Sequence, residues 1–261
     1  MPFTPKHILI TGAGGAIGGA LAETFARQYP GARQTLVDMN ADGVRDRADA
    51  LAADSAIEVC DLIDIDALPA WWQDMTARRG DVDLLVNCAG IMEILSFGGT
   101  GWTLGRRVLD INLTAPLRLM DLALPAMLEA GRGGFINLAS MAGRLPMPGF
   151  SYYGAAKAGM GNASECTRLD LLDRGIDVLT VYPGPIHSGL ESRGRTQVKP
   201  GLIARYLPTG EPDAIARRIH KAFARGDARV IYPDVYGAAN QVANLTATSW
   251  LMARLSPRPN Q

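Results

Sequence analysis

Cysteine and histidine are scarce, three of each in 261 residues, and their placement rules out several kinds of chemistry. Cys60, Cys88 and Cys166 lie far apart and outside any CxxC spacing, so neither a disulfide framework nor a zinc site is expected, and the thiols read as free groups in a reducing compartment. His7, His187 and His220 share no metal-ligand spacing; His187 is the one to watch, because it falls beside the cleft predicted below. An excess of either charge is missing as well: 26 basic residues face 26 acidic ones, without long blocks of one sign. That balance offers no footprint for nucleic acid or an anionic membrane and favours a small, neutral or weakly charged partner. No apolar run reaches the roughly 18 residues of a membrane span, and the opening MPFTPKHILITGAGG lacks a basic segment followed by an apolar one. A soluble, cytoplasmic protein is the expectation. Repeats and linkers are absent too, and the length suits a single α/β domain over 1–261.

What is present is alternation. Short runs rich in Val, Ile and Leu, read as strands at 8–11, 34–38, 57–61, 84–87, 134–138, 177–182 and 229–232, are separated by amphipathic stretches read as helices at 16–28, 40–53, 65–79, 104–129, 153–174 and 212–224. Near-continuous hydrophobicity in DLLVN and FINLA implies strands buried on both faces. The predicted architecture is a doubly wound, Rossmann-like α/β fold, with a seven-stranded parallel sheet and helices on both faces. The Gly- and Pro-rich segment after the sixth strand reads as a substrate lid at about 185–210. Residues 234–255 read as a helix that covers the pocket or packs on a neighbour, and Trp71 and Trp72 as core.

The first strand runs into TGAGGAIG, residues 11–18, and then into a helical pattern. Glycines there allow a tight turn and close backbone approach to a pyrophosphate, whose charge meets free N–H groups at the helix start. The second strand ends at Asp38, where a carboxylate can accept from ribose hydroxyls and repel a 2′-phosphate. Neither the turn nor Met39 supplies a cation, so NAD is favoured over NADP. Ser140 follows the fifth strand, and Tyr153 and Lys157 stand four apart on one helix face. A phenol needs roughly 4 kcal/mol of help to titrate near neutrality, which a nearby ammonium in a dry site can give. Ser140 can donate to a developing alkoxide. Tyr152 is the local competitor, five residues from Lys157 and facing it less directly.

Taken in order, TGAGGAIG, Asp38, Asp61, NCAG at 87–90, INL at 111–113, INLAS ending at Ser140, YGAAK from Tyr153 and YPGPIHS from Tyr182 resemble the short-chain dehydrogenase/reductase family, in its compact single-domain branch, over essentially the whole chain. The resemblance implies a catalytic tetrad of Asn112, Ser140, Tyr153 and Lys157, in which tyrosine exchanges the hydroxyl proton, serine holds the substrate oxygen, lysine also binds the nicotinamide ribose, and Asn112 holds a relay water. It implies cofactor contacts from Gly12, Gly14, Gly15, Ala16, Ile17, Gly18, Asp38 and Met39, and from Asp61 and Leu62 beside the adenine. Asn87, Ala89 and Gly90 should line the cleft, and Pro183, Gly184, Ile186 and Ser188 should meet the nicotinamide. It further implies a homodimer or homotetramer. Three positions depart from the pattern: Ala16 replaces the middle glycine of TGxxxGxG, leaving the TGxxGxxG spacing of the larger epimerase-like branch; Cys88 replaces an asparagine; and Ser188 replaces a threonine.

The expected activity is NAD-dependent interconversion of a secondary alcohol and a ketone. Two alternatives stand beside it: a non-catalytic NAD(H) sensor or scaffold on the same fold, and an epimerase or dehydratase that retains its NAD. Met92, Ile94, Leu95, Leu145, Met147, Pro148 and Leu190 fall on loops near the cleft and predict an apolar pocket, while Glu93 and Arg144 offer a polar alternative.

Overall fold

The computed structural model describes residues 3–40, 42–51, 54–199, 208–237 and 258–259. Seven parallel strands form the main sheet: β1 (His7–Thr11), β2 (Arg33–Asp38), β3 (Ser55–Val59), β4 (Leu84–Asn87), β5 (Gly133–Leu138), β6 (Ile176–Pro183) and, later in the chain, β8 (Arg229–Tyr232). Their order is β3-β2-β1-β4-β5-β6-β8. The order reverses between β1 and β4, so a crevice opens outside the carboxyl ends of those two strands. Between strands run α1 (Ala16–Gln28), α2 (Asp42–Ala50), α3 (Leu68–Arg79), α4 (Phe97–Leu109), a π-helical turn (Asp110–Thr114), α5 (Ala115–Ala130), α6 (Ser151–Asp170), α7 (Gly189–Thr196) and α8 (Pro212–Ala224). A small antiparallel pair joins β7 (Val198–Lys199) to β9 (Arg258–Pro259).

Alternation along each strand explains the layers. Ile8, Ile10, Ile136, Leu179 and Val181 turn to one face and pack with Leu21 and Phe25 of α1 and Ile215, Ile219 and Phe223 of α8. Leu9, Leu85, Phe135 and Val178 turn to the other and pack with Leu68 and Met75 of α3, Leu119 and Ala123 of α5 and Met160 of α6. Each fully buried side chain of this kind contributes about 1.5–3 kcal/mol of hydrophobic free energy, and period-two geometry divides that gain between both faces.

The structure departs from the predicted elements in three places. The third strand is Ser55–Val59 and not 57–61, because its register is set by pairing Gln34 with Ser55 through Asp38 with Val59; Asp61 therefore lies beyond it. The single helix expected at 104–129 is a longer column, Phe97–Ala130, interrupted at Gly101 (φ +66°) and by the π turn. The segment read as a lid contains a helix, α7, started by Ser188, whose hydroxyl accepts the Glu191 N–H at 3.1 Å. Most of the predicted 234–255 helix, and residues 200–207 of the predicted lid, lie outside the described residues.

Candidate active site

The glycine turn is built by backbone contact. Gly12 has φ +68°, and a Cβ there would stand 2.7 Å from the Ala89 Cα. Its carbonyl accepts the Gly15 N–H at 3.0 Å and would be 2.2 Å from a Cβ on Gly18. Both positions therefore require glycine, whereas Ala16 opens α1 without conflict, Gly15 being the cap residue. Ile17 packs against the core. The first N–H groups of α1 have no carbonyl one turn behind them and are available to an anion. Asp38 is tied into this turn: its Oδ2 accepts the Gly14 N–H and its Oδ1 the Asn40 N–H, both at 3.0 Å. A carboxylate has about four acceptor positions, so two of these remain. Met39 is exposed. Asp61 is exposed and accepts the Ile63 N–H, while the Leu62 side chain is turned into the core beside α3.

One hydroxyl joins the two halves of the crevice. Thr11 Oγ1 donates to the Val86 carbonyl and accepts the N–H groups of Cys88 and Ala89, both at 3.1 Å. Below it a buried polar chain crosses the sheet: Asn87 Nδ2 donates to Asn137 Oδ1 at 2.9 Å, Asn137 Nδ2 to Ser164 Oγ at 2.9 Å, and Ser164 Oγ meets Thr180 Oγ1 at 2.7 Å. The Cys88 thiol is pushed up to about 12 by burial, opposed by the Lys157 charge, which keeps it protonated and unreactive.

Ser140, Tyr153, Lys157 and Asn112 converge at the end of β5. Tyr153 and Lys157 share one face of α6, buried at 8% and 5% exposure, with Nζ 6.0 Å from the phenol ring centre. Lys157 Nζ donates to the Leu138 carbonyl at 2.7 Å. Burial pulls its pKa down to about 8. The expected acidification of the phenol is not produced by the protein's own groups: burial raises Tyr153, and the opposing effect is a hydrogen bond with Ser140. The ammonium is directed at the Leu138 carbonyl and not at the phenol oxygen, and desolvation dominates. Ser140 Oγ also accepts the Ala142 N–H at 3.1 Å.

Asn112 sits in the π turn, fully buried. Its Nδ2 donates to the carbonyls of Ile91 and Val108 at 2.8 and 2.9 Å, and its Oδ1 has no protein partner. A Cβ on Gly90 would lie 2.6 Å from that oxygen and 3.6 Å from Lys157 Nζ, so glycine 90 keeps the carbonyl and the ammonium facing a common space. Asn87 Oδ1 is likewise buried without a partner. Orphaned acceptors at a crevice mouth fit a ligand that brings donors, as a dinucleotide does.

Tyr152 is excluded as the competitor. Its ring stacks on Phe97 at 5.5 Å, 7° from parallel, and occupies the space left by Gly105. At the far side of the crevice, Pro183 and Ile186 are buried, the Gly184 N–H donates to Tyr232, and Ser188 spends an acceptor position as the cap of α7. His187 points outward to Glu211, 3.5 Å away. Arg144 stacks over the Tyr182 ring at 4.6 Å, and Leu145 packs with Tyr182 and Tyr236. Gln197, which no sequence pattern flagged, accepts the Ile94 N–H at 2.9 Å and donates to Glu93 at 2.7 Å. Among the described residues there is no cluster of His, Cys, Asp or Glu able to hold a metal ion, and no helix long and apolar enough to cross a membrane.

The short chain dehydrogenase family model matches residues 6–199. A cyclohexanol dehydrogenase of Acinetobacter sp. (strain SE19) is 34% identical over 226 residues, 82% of this chain and 86% of the relative. A D-threitol dehydrogenase of Mycolicibacterium smegmatis is 30% identical over 217 residues, 81% and 83% of the two chains. A solved short-chain dehydrogenase from Sphingobium yanoikuyae in complex with NADPH superposes with TM-score 0.76 at 26% identity, covering 90% of this chain and 92% of that one.

Proposed function

This chain belongs to the short-chain dehydrogenase family of oxidoreductases, and we propose that it is an NAD-dependent enzyme that interconverts a secondary alcohol and its ketone, with Tyr153 as the proton-exchanging residue. The observation that carries this reading is the buried Tyr153 phenol, one helical turn from Lys157, whose Nζ lies 6.0 Å from its ring centre, and near enough to Ser140 for that hydroxyl to favour the phenolate, at the carboxyl end of the sheet beside the glycine turn. The dinucleotide, when bound, supplies the carbon that accepts or donates the hydride. The chain's residues do the rest. The 12–18 turn and the start of α1 hold the pyrophosphate, and the free acceptor positions of Asp38 take the ribose hydroxyls and disfavour a 2′-phosphate. Asn87, Ala89 and Gly90 line the cleft, with Pro183, Gly184, Ile186 and Ser188 at its far side.

Ser140 receives the Ala142 N–H on its oxygen, and its own proton, which favours the Tyr153 phenolate in the protein alone, is shared with the substrate oxygen when a substrate enters. Tyr153 takes the hydroxyl proton during oxidation and returns it during reduction. Lys157, with its pKa drawn down to about 8, exchanges a proton near neutrality, and the Asn112 acceptor facing it holds the water that relays that proton outward. The relatives' names include a cyclic alcohol and a polyol, which supports alcohol chemistry without choosing between those substrates.

Titration with NADH and NADPH in parallel, followed by an alcohol and ketone screen read at the NADH absorbance, tests the proposal. NADH is expected to bind more tightly, and Tyr153→Phe to lower kcat by about 10²–10⁴-fold while NADH affinity stays within a few-fold. Wild-type rates in that variant refute the acid/base assignment; tighter NADPH binding refutes the role of Asp38.

A further inference from the structure

The walls around Tyr153 carry information about what reaches it. Met92, Met147 and Phe150 pack against the cluster formed by Tyr153, Val108 and Ala142, and the Phe150 ring meets the Tyr153 ring edge-on at 6.2 Å. Several polar residues on the same surrounding segments are engaged elsewhere: His187 faces Glu211, Ser188 caps α7, Arg195 pairs with Glu191 and Thr209, and Arg144 lies on Tyr182 with its buried Nε left unpartnered. Glu93 is the remaining carboxylate on the loop between β4 and α4, and Gln197 holds it.

Gln197 uses both ends of its amide across a sequence separation of more than a hundred residues, bonding the Ile94 N–H and the Glu93 carboxylate. One turn earlier, a Cβ on Gly194 would stand 2.6 Å from Met92 Cε and 3.1 Å from Ile94 Cδ1, so α7 lies directly on that loop. We infer that Gln197 latches α7 onto the 91–95 loop, closing a chamber beside Tyr153 whose apolar walls select an uncharged, hydrocarbon-bearing secondary alcohol over a polyol. This rests on the alcohol dehydrogenase reading above. A polyol entering such a chamber loses water from hydroxyls that find few partners among the described walls, whereas an apolar ring gains from leaving water. Gln197 is a positioning residue: it touches the loop and not the reacting atoms.

Two measurements test it on the whole enzyme. The first compares binding of cyclohexanone and dihydroxyacetone to the enzyme–NADH complex by quenching of nicotinamide fluorescence, with oxidation of cyclohexanol and erythritol alongside. The apolar ligand is expected to be favoured by about 100-fold. Equal or tighter binding of the polar ketone overturns the inference whether or not turnover is seen. Selective binding of cyclohexanone without turnover of any alcohol leaves the inference standing and removes the dehydrogenase reading instead. The second is a double-mutant cycle. Gln197→Glu, which sets two carboxylates against each other, is expected to raise the KM for cyclohexanol about tenfold with kcat changed less than about threefold. The reciprocal pair Glu93→Gln with Gln197→Glu restores the donor–acceptor match and is expected to recover most of the loss. An unchanged KM in the single variant, or no recovery in the pair, overturns the latch.

Discussion

The two ends of strand β1 treat their central polar groups differently, although Gln34 Oε1 and Arg79 Nε near its start are also buried without a partner. At its start, His7 is buried with every ring nitrogen engaged: Nδ1 meets the carbonyls of Gly80 and Asp81 at 3.0 and 3.1 Å, and Nε2 meets Thr35 Oγ1 at 2.8 Å. Asp83 closes the same cluster by accepting the N–H groups of Lys6 and His7. Across the carboxyl end, Asn87 and Asn112 each keep a buried carbonyl oxygen without a protein partner, and Lys157 is charged at a desolvation cost. Saturated polar clusters contribute rigidity; unsaturated ones at a crevice are where binding and proton transfer find their free valences.

Variants at each end can break this contrast. The largest effect is expected from Gly18→Ala, whose methyl would meet the Gly12 carbonyl. It should lower stability by about 3 kcal/mol and weaken NADH binding by about 100-fold or more, read by denaturant unfolding and fluorescence titration; near-normal binding would show that the turn tolerates a shift. Next is Lys157→Met compared with wild type across pH. The unfolded lysine keeps its proton to about 10.5 and the folded one to about 8, so the unfolded state binds more protons between those values. Wild-type stability relative to the variant should therefore rise as pH rises through that window, by up to about 3 kcal/mol; a flat difference would mean that the cation is not held at a cost.

His7→Leu belongs to the other end. It strands Thr35 and two carbonyls and should cost about 2 kcal/mol with kcat/KM within about twofold of wild type. Burial holds the folded His7 pKa below 6.5, so the unfolded state binds the extra proton and the wild-type advantage should shrink as pH falls below 6.5. A large loss of turnover would erase the division between the two ends. The smallest effect is predicted for Tyr152→Leu, about 1 kcal/mol from lost ring stacking with kcat within about threefold, in contrast to its neighbour Tyr153.

Much of this is legible in the sequence itself. Runs such as DLLVN and FINLA betray strands buried on both sides, and the ordered spacing of Gly12, Asp38, Ser140, Tyr153 and Lys157 brings them to one crevice. Other features were hidden because tertiary contacts decide them. Gly98, Gly99 and Gly101 argue against a helix before residue 104, yet Ser96 caps one there, and further along the bare Gly105 receives Tyr152. Ser188 reads as a ligand contact, and its second task, starting α7 with its hydroxyl, is not visible in the PGxIx pattern. Gln197 carries no motif, and its two partners lie over a hundred residues away. The pKa of Tyr153 escaped too, since the sum of burial and a diverted ammonium is not written in an i, i+4 spacing.

The π turn at Asp110–Thr114 has a consequence for how this chain can change length. Upstream, Val108 belongs to the wall behind Tyr153; downstream, Leu119 and Ala123 belong to the core under the sheet. Each residue advances a regular helix by about 100°, and a π turn absorbs one extra residue. Deleting a residue here would straighten the column and swing one of those stripes out of its socket. A mutation that tidies the local geometry would thus misalign two distant surfaces, making this irregular turn a gear between them whose tooth count cannot drift.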